Sequence, residues 1–245
     1  FKDIMTWAQE AHSGGCTFKP KSSECNSQVS QIEKWISMKD CRPHWLPLRL
    51  PGDYFDVAVT CFDFVTALHS LLNNHELVGD ITKLNINPTN PFGKYCAPGG
   101  RLSTVNSGAW YHNAYQYLIT DPQTDMMCLI IFYMDESNIS TNGKLTSFPV
   151  IFTTSLFGLS LRNLHHIWRP LGYIYDQTID TSSAERAVMH TDLKQRRFHA
   201  IMKVVLATLI EAHQPGALDG ITLILDAFTK TVNLKTPTAF IIGDV

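Results

Sequence analysis

The chain has 245 residues, 44% of them hydrophobic and 17% charged, with a formal net charge of −2. That composition supports a globular core of one large or two small domains and is neither disordered nor membrane-like. The near-neutral charge forces no nucleic-acid reading, and no apolar run approaches the length of a bilayer span; the longest, Cys128 to Met134, is strand-sized.

The six cysteines, at 16, 25, 41, 61, 96 and 128, contain no Cys-x-x-Cys pair. Cys61 and Cys128 lie in apolar stretches and read as small core residues. Cys16, Cys25, Cys41 and His44 admit zinc in principle, but their gaps do not suit the common finger modules. Unpaired cysteines in a reducing compartment are the simpler expectation. Phe1 is followed by no charged-plus-apolar leader, and the last residues read as a buried strand cut at its tip. Both ends are therefore expected to be truncated.

Residues 1–54 are polar and broken by Gly14-Gly15, Pro43, Pro47 and Pro51-Gly52, which predicts a linker-like or weakly ordered lead. Residues 55–125 read as a helical and loop-rich region. Within it Cys61, Phe64, Val65, Leu68 and Leu72 recur at helical spacing, with Thr60 placed as the cap and a stop near Asn73-Asn74. Asp53, Asp56 and Asp63 read as surface residues. Loops dominate 85–109. A short helix then carries Trp110, Tyr111, Tyr115 and Tyr117, whose rings either pack on a core, the commoner fate, or stack on bases.

Residues 126–245 read as a strand-and-helix domain. Cys128 to Met134 is continuously apolar, as a strand covered on both faces would be, and ends at Asp135-Glu136-Ser137. Asn142-Gly143-Lys144 marks a turn into a second, antiparallel strand, Phe148 to Thr154. A third extended piece is expected within Asn163 to Trp168, before Pro170. Ser182 to Glu185 has the capping-box pattern of a long helix, whose apolar stripe runs Phe198, Ile201, Met202, Val205, Leu206 and Leu209, with Pro215-Gly216 as its stop. Arg186, Lys194, Arg196, Arg197 and Lys203 on this segment read as a solvated face. Ile221 to Leu225 and Thr231 to Leu234 read as a hairpin, and Ala239 to Ile242 as a final strand delivering Gly243-Asp244.

Two apolar strands thus end in carboxylates, Asp135 and Asp244. These acids admit two readings. Asp at a strand tip is a common turn-former. Alternatively, if the strands are parallel neighbours, both carboxylates converge and can ligate hard divalent cations such as Mg²⁺ or Mn²⁺. His165-His166, adjacent on a predicted strand, would point to opposite faces and cannot share a metal. No Gly-x-Ser-x-Gly elbow or phosphate-cradling glycine loop is present.

Several segments together resemble transposases of the Plavaka and CACTA-related kind. They are Phe62-Asp63-Phe64, Asn90 to Tyr95, Asn106 to Tyr111, Ile130 to Ser140, Phe148 to Thr154, Arg162-Asn163, Trp168 to Ile174 and Ala239 to Asp244. The resemblance implies an α/β, ribonuclease-H-like mixed sheet with flanking helices, preceded by a helical and irregular N-terminal region. It implies an acidic triad in which Asp135 ends the first strand and Asp244 the fourth. Metal ions, Mg²⁺ or Mn²⁺, would drive cleavage and joining of DNA at transposon ends and target, in the nucleus, with a homo-oligomer compatible and no membrane involved. Glu136 directly after the first acid departs from the family pattern, where a small or hydroxyl residue is usual. The third acid is expected on a later helix beyond Val245, so this piece alone is not expected to catalyse. The rival expectation is a decayed or domesticated copy that only binds DNA or protein. Arg162 and Arg169 are candidate phosphate contacts, or simply surface or ion-paired arginines.

Overall fold

Cys128 to Met134 is too apolar for a surface position, and its second half becomes the interior of a sheet. The computed structural model describes residues 41–87, 89–100, 104–138, 146–175, 184–213, 220–225 and 229–242. All of these fall in the unit Asp40–Val245. In chain order, the strands β1 (His44–Arg49) and β2 (Asp56–Cys61) precede the helices α1 (Phe64–Leu72), α2 (His75–Val78) and α3 (Ala109–Leu118). Strands β3 (Asp125–Met127), β4 (Ile130–Met134), β5 (Ser137–Asn138) and β6 (Thr146–Thr154) follow, then α4 (Leu159–Arg162) and β7 (Arg169–Tyr175). The helices α5 (Ala184–Val205) and α6 (Ala207–Ala212) lead to β8 (Ile221–Leu225), β9 (Lys230–Lys235) and β10 (Thr238–Ile242).

The main sheet has the order β1-β2-β7-β6-β4-β10, with β5 also paired to β6. β10 runs parallel to β4, whereas β6, β7, β2 and β1 follow antiparallel to their neighbours. A second sheet, β3-β9-β8, joins Asp125–Met127 in parallel to β9 and closes with the β8–β9 hairpin. Both sheets are mixed, and the protein is of the α/β class.

Alternation along β4 sends Phe132 to one face and Tyr133 to the other. On the Phe132 face, Phe132 meets Phe152 of β6 at 6.4 Å and Phe152 meets Phe64 of α1 at 5.2 Å between ring centroids. Phe198 of α5 lies edge-on to Phe148 on this same face. Helices α1, α5 and α6 therefore share one side of the sheet. The Thr208 hydroxyl of α6 accepts from the Phe64 amide at 2.9 Å and holds the start of α1.

Several elements differ from expectation, each for a physical reason. The region 1–54 is not lead throughout, because β1 occupies His44–Arg49 and pairs along its length with β2. Pro47 misleads: β1 is an edge strand, where a missing N–H is tolerated. Helix α1 starts at Phe64 rather than near Thr60. Thr60 and Cys61 finish β2, and the cap is Asp63, whose carboxylate accepts from the Thr66 amide at 2.7 Å. The run Cys128 to Met134 is not one strand: Cys128 and Leu129 are fully buried joints between β3 of the small sheet and β4 of the large one. The third extended piece is not within Asn163 to Trp168. His165–Ile167 form a 3₁₀ turn and the strand starts at Arg169, including Pro170. Pro170 sits at a register irregularity between β6 and β7, a position that does not need its N–H. Asn142 to Lys144, Ser182 and Pro215-Gly216 lie outside the described residues.

Arg197 also departs from the solvated face assigned to it. It is 9% exposed, donates through Nε to the Pro51 carbonyl at 3.0 Å and forms an ion pair with Asp53. This pair ties the β1–β2 turn to α5. Arg196 does lie at the surface, paired with Asp192 one helical turn back. Cys61 and Cys128 are buried as expected, and burial pushes the Cys128 thiol up to about 12.

The small sheet has its own charged centre, which the sequence reading did not single out. Asp125 is 2% exposed. Its carboxylate accepts from the Thr120 amide and hydroxyl, both at 2.9 Å, from the Asp121 amide at 3.0 Å and from the Asn233 amide group at 2.8 Å. Lys235 Nζ stands 3.8 Å away. Burial alone would raise this carboxyl, but the hydrogen bonds overcome it and hold the group down at about 2.

Two outcomes follow. A Cβ on Gly172 would stand 2.7 Å from both the Thr60 carbonyl oxygen and a Val205 methyl, so Gly172→Ala must separate β7 from β2 and α5. The expected loss is about 1–3 kcal/mol in urea unfolding, and an unchanged midpoint would refute the close approach. Asp125, with its folded pKa depressed, stabilises the fold above about pH 4 and loses that contribution as pH falls toward 2. The gap in stability between the parent and Asp125→Asn should be on the order of 2 kcal/mol at pH 6 and shrink through that window. A gap that stays constant with pH would contradict this.

Candidate functional site

Asp135 follows the last residue of β4, and the alternation of the strand carries it to the same side as Tyr133. The carboxylate is half-buried. Oδ2 accepts from the Tyr133 hydroxyl at 2.9 Å, and Oδ1 accepts from the Glu136 amide at 2.8 Å. Beyond Asp135 the chain does not leave the sheet. Met134 pairs with Val150 and Ser137 pairs with Ser147, so the register is unbroken and Asp135 stands opposite Pro149. Proline has no N–H to donate, which fits a ladder interrupted at this step. The result is a carboxylate between β4 and β5, at a point where the backbone pairing lapses. Glu136 is exposed.

The Tyr133 ring meets Trp168 edge-on at 6.2 Å. Trp168 is itself fixed by its indole N–H, which donates to the Arg162 carbonyl at 3.0 Å. This wall of Tyr133, Trp168 and α4 was not foreseen. The sequence signal for it was the pair of aromatics flanking Asp135 and Arg169, which spacing alone cannot bring together.

On the other edge of β4, Ile242 of β10 pairs in parallel with Tyr133. Asp244 itself lies outside the described residues. Among the described residues, no group of three or more His, Cys, Asp or Glu comes together as a metal site.

The two arginines part company. Arg169 is 1% exposed, and its guanidinium donates to the Ser70 hydroxyl at 3.0 Å and to the Ser70, His166 and Trp168 carbonyls at 3.3, 2.7 and 3.2 Å. Burial pulls it down to about 10. It is a strut between α1 and the start of β7, not a surface or phosphate-contacting residue. Arg162 is half-buried, its Nε has no hydrogen-bond partner among the described residues, and burial lowers its pKa.

The segments between residues 85 and 118 also resolve into structural roles. The Asn85 side chain donates to the Ser155 and Phe157 carbonyls at 3.0 and 3.2 Å, and Asn106 donates to the Asn85 and Ser155 carbonyls, both at 3.3 Å. The Tyr111 hydroxyl accepts from the Tyr95 amide, and the Tyr115 hydroxyl donates to the Phe92 carbonyl. Tyr111 and Tyr115 pack on Met127 and Leu129, whereas Trp110 and Tyr117 of the same helix are 49% and 90% exposed.

Arg169→Met should leave the Ser70 and His166 carbonyls without their donor. A loss of about 3 kcal/mol in urea unfolding is expected, with DNA affinity unchanged. A variant as stable as the parent but weaker on DNA would return Arg169 to phosphate binding.

No helix among the described residues is long and apolar enough to cross a membrane. A comparison with curated proteins finds no match. The family model described as Plavaka transposase matches residues 49–219, a span that holds Asp135, the Tyr133–Trp168 wall and all three helices on the Phe132 face. Membership of a transposase family implies interaction with DNA. On that match, which covers well over half of its length, the chain belongs to the Plavaka transposase family.

Proposed function

We propose that this chain carries the core of a ribonuclease-H-like catalytic domain, in a transposase that cuts and rejoins transposon DNA in the nucleus, with Asp135 and Asp244 as ligands of Mg²⁺ or Mn²⁺. One observation supports the reading above the rest: β10 lies beside β4, parallel to it, with Ile242 opposite Tyr133. Asp135 and Asp244 each follow that pair by two residues in the sequence. A parallel pair continued for two residues sets both side chains on one face at one end of the sheet.

The order of the strands supports the same reading. The antiparallel run β4, β6, β7 is followed by α5 and α6, and β10 returns to the open edge of β4. The β1–β2 hairpin extends the β7 edge, and the β8–β9 hairpin comes between the helices and β10 in the chain.

Asp135 suits a hard divalent cation. It offers oxygen donors, it is not fully buried, and each oxygen accepts one hydrogen bond among the described residues, which leaves electron pairs for a metal. Asp135 and Asp244 would hold such ions, which would supply activation of a water or 3′-hydroxyl and charge neutralisation at the leaving oxygen of a phosphodiester. The work of this chain is to hold the carboxylates on neighbouring core strands, so that little reorganisation accompanies the reaction.

The test is cleavage of a labelled duplex bearing the element's terminal sequence by the full-length transposase, which supplies the third acid. Asp135→Asn and Asp244→Asn should each lower the rate by about 10³-fold, several kcal/mol of barrier, while binding of the duplex stays within about twofold. Cleavage by either variant at the parental rate would end the metal-ligand assignment of that residue. A parent that binds the duplex but never cleaves it would favour a purely DNA-binding role.

A further inference from the structure

We infer that Tyr133, braced by Trp168, is a positioning residue that locks the carboxylate of Asp135 in the orientation a divalent cation requires. The inference rests on the metal-ligand reading of Asp135 proposed above and adds to it the residues that hold that ligand in place.

An aspartate at a strand tip turns freely about its terminal torsion unless both oxygens are held. Here both are. The Tyr133 hydroxyl reaches Oδ2 at 2.9 Å from two residues upstream on the same face, and the Glu136 amide reaches Oδ1 at 2.8 Å. The amide contact is local and would accompany many turns. The phenol contact is different, because a tyrosine ring must be steered to make it. The edge of Trp168 meets that ring at 6.2 Å. Trp168 cannot drift away, because its indole N–H is tied to the Arg162 carbonyl at 3.0 Å at the end of α4. β7 follows directly after Trp168, and its first residue, Arg169, is the buried strut to α1. The chain of contacts thus runs from the helix layer, through Arg169 and Trp168, to Tyr133 and the carboxylate.

Ligating carboxylates in metal sites are themselves hydrogen-bonded, and their outer partners set geometry and affinity. A phenol donor adds no competing charge. It also directs the remaining electron pairs of Asp135 away from the ring. Tyr133 touches neither metal nor DNA in this scheme and acts only through Asp135.

Tyr133→Phe separates this role from packing, since it keeps the ring against Trp168 and removes only the hydroxyl. Binding of Mn²⁺ to the full chain is measured by electron paramagnetic resonance, beside thermal unfolding and duplex binding. In Tyr133→Phe the half-saturating Mn²⁺ concentration should rise about 10-fold or more, with duplex affinity and the unfolding midpoint near those of the parent. Trp168→Leu, which frees the ring but keeps the hydroxyl, should shift it in the same direction by less. Asp135→Asn serves as the reference and should abolish that Mn²⁺ site. Parental Mn²⁺ binding by Tyr133→Phe, with binding lost in Asp135→Asn, would overturn the positioning role alone. Parental Mn²⁺ binding by Asp135→Asn, or no binding by the parent, would remove the metal reading and the positioning role together.

Discussion

The parallel pairing of β10 with β4 is the contact on which the rest of the architecture depends. β4 is buried except at the partly exposed Tyr133 and is hydrogen-bonded on both edges, to β6 on one side and β10 on the other. Parallel neighbours cannot be joined by a tight turn, so a long crossover must carry the chain back to the start of the sheet. Here that crossover contains β6, β7, the helices α5 and α6, and the β8–β9 hairpin. Its consequence is directional: both strands finish at the same end of the sheet, whatever their separation in the chain. Any site built from the residues that follow β4 and β10 follows from that one pairing.

Around this frame, polar residues of the same types do different work according to burial. Asp125 is enclosed and saturated with donors, and it knots the small sheet to the loop before it. Asp135 is half-open and accepts two hydrogen bonds among the described residues, which is the condition of a carboxylate that can still take a ligand. Arg169 and Arg197 are spent on carbonyls and on Asp53, inside the helix layer. The asparagines and tyrosines between residues 85 and 115 clasp their loop to the ends of β4 and β6. Much of what resembles the transposase family in this chain therefore holds the scaffold together.

Elements whose signal is local were legible. The antiparallel return of β6, the β8–β9 hairpin, the long helix and the last strand follow from alternation, helical spacing and turn residues. Elements that break a local rule were not. Proline hid β1 and the start of β7, because an edge position or a register irregularity excuses the missing N–H only once the neighbouring strand is known. Thr60 looked like a cap because the periodic run seemed to begin at Cys61. In the fold Cys61 closes β2, and Asp63 does the capping. The same limit applies to the site: Asp135 was identifiable as an acid after an apolar strand, but Tyr133 and Trp168 were not identifiable as its support.

The sequence by itself determined the α/β character, the identity and order of the strongest elements, the placement of an acid after the most apolar strand, and the family resemblance. These depend on interactions within a few residues, where side-chain spacing states which face must be buried. Only the tertiary structure decided that β10 lies parallel beside β4, that Asp125 and Arg169 are enclosed while Asp135 is not, and that Trp168 reaches Tyr133. Those outcomes depend on contacts between residues tens to more than a hundred positions apart, and no local pattern carries the desolvation and packing terms that select them.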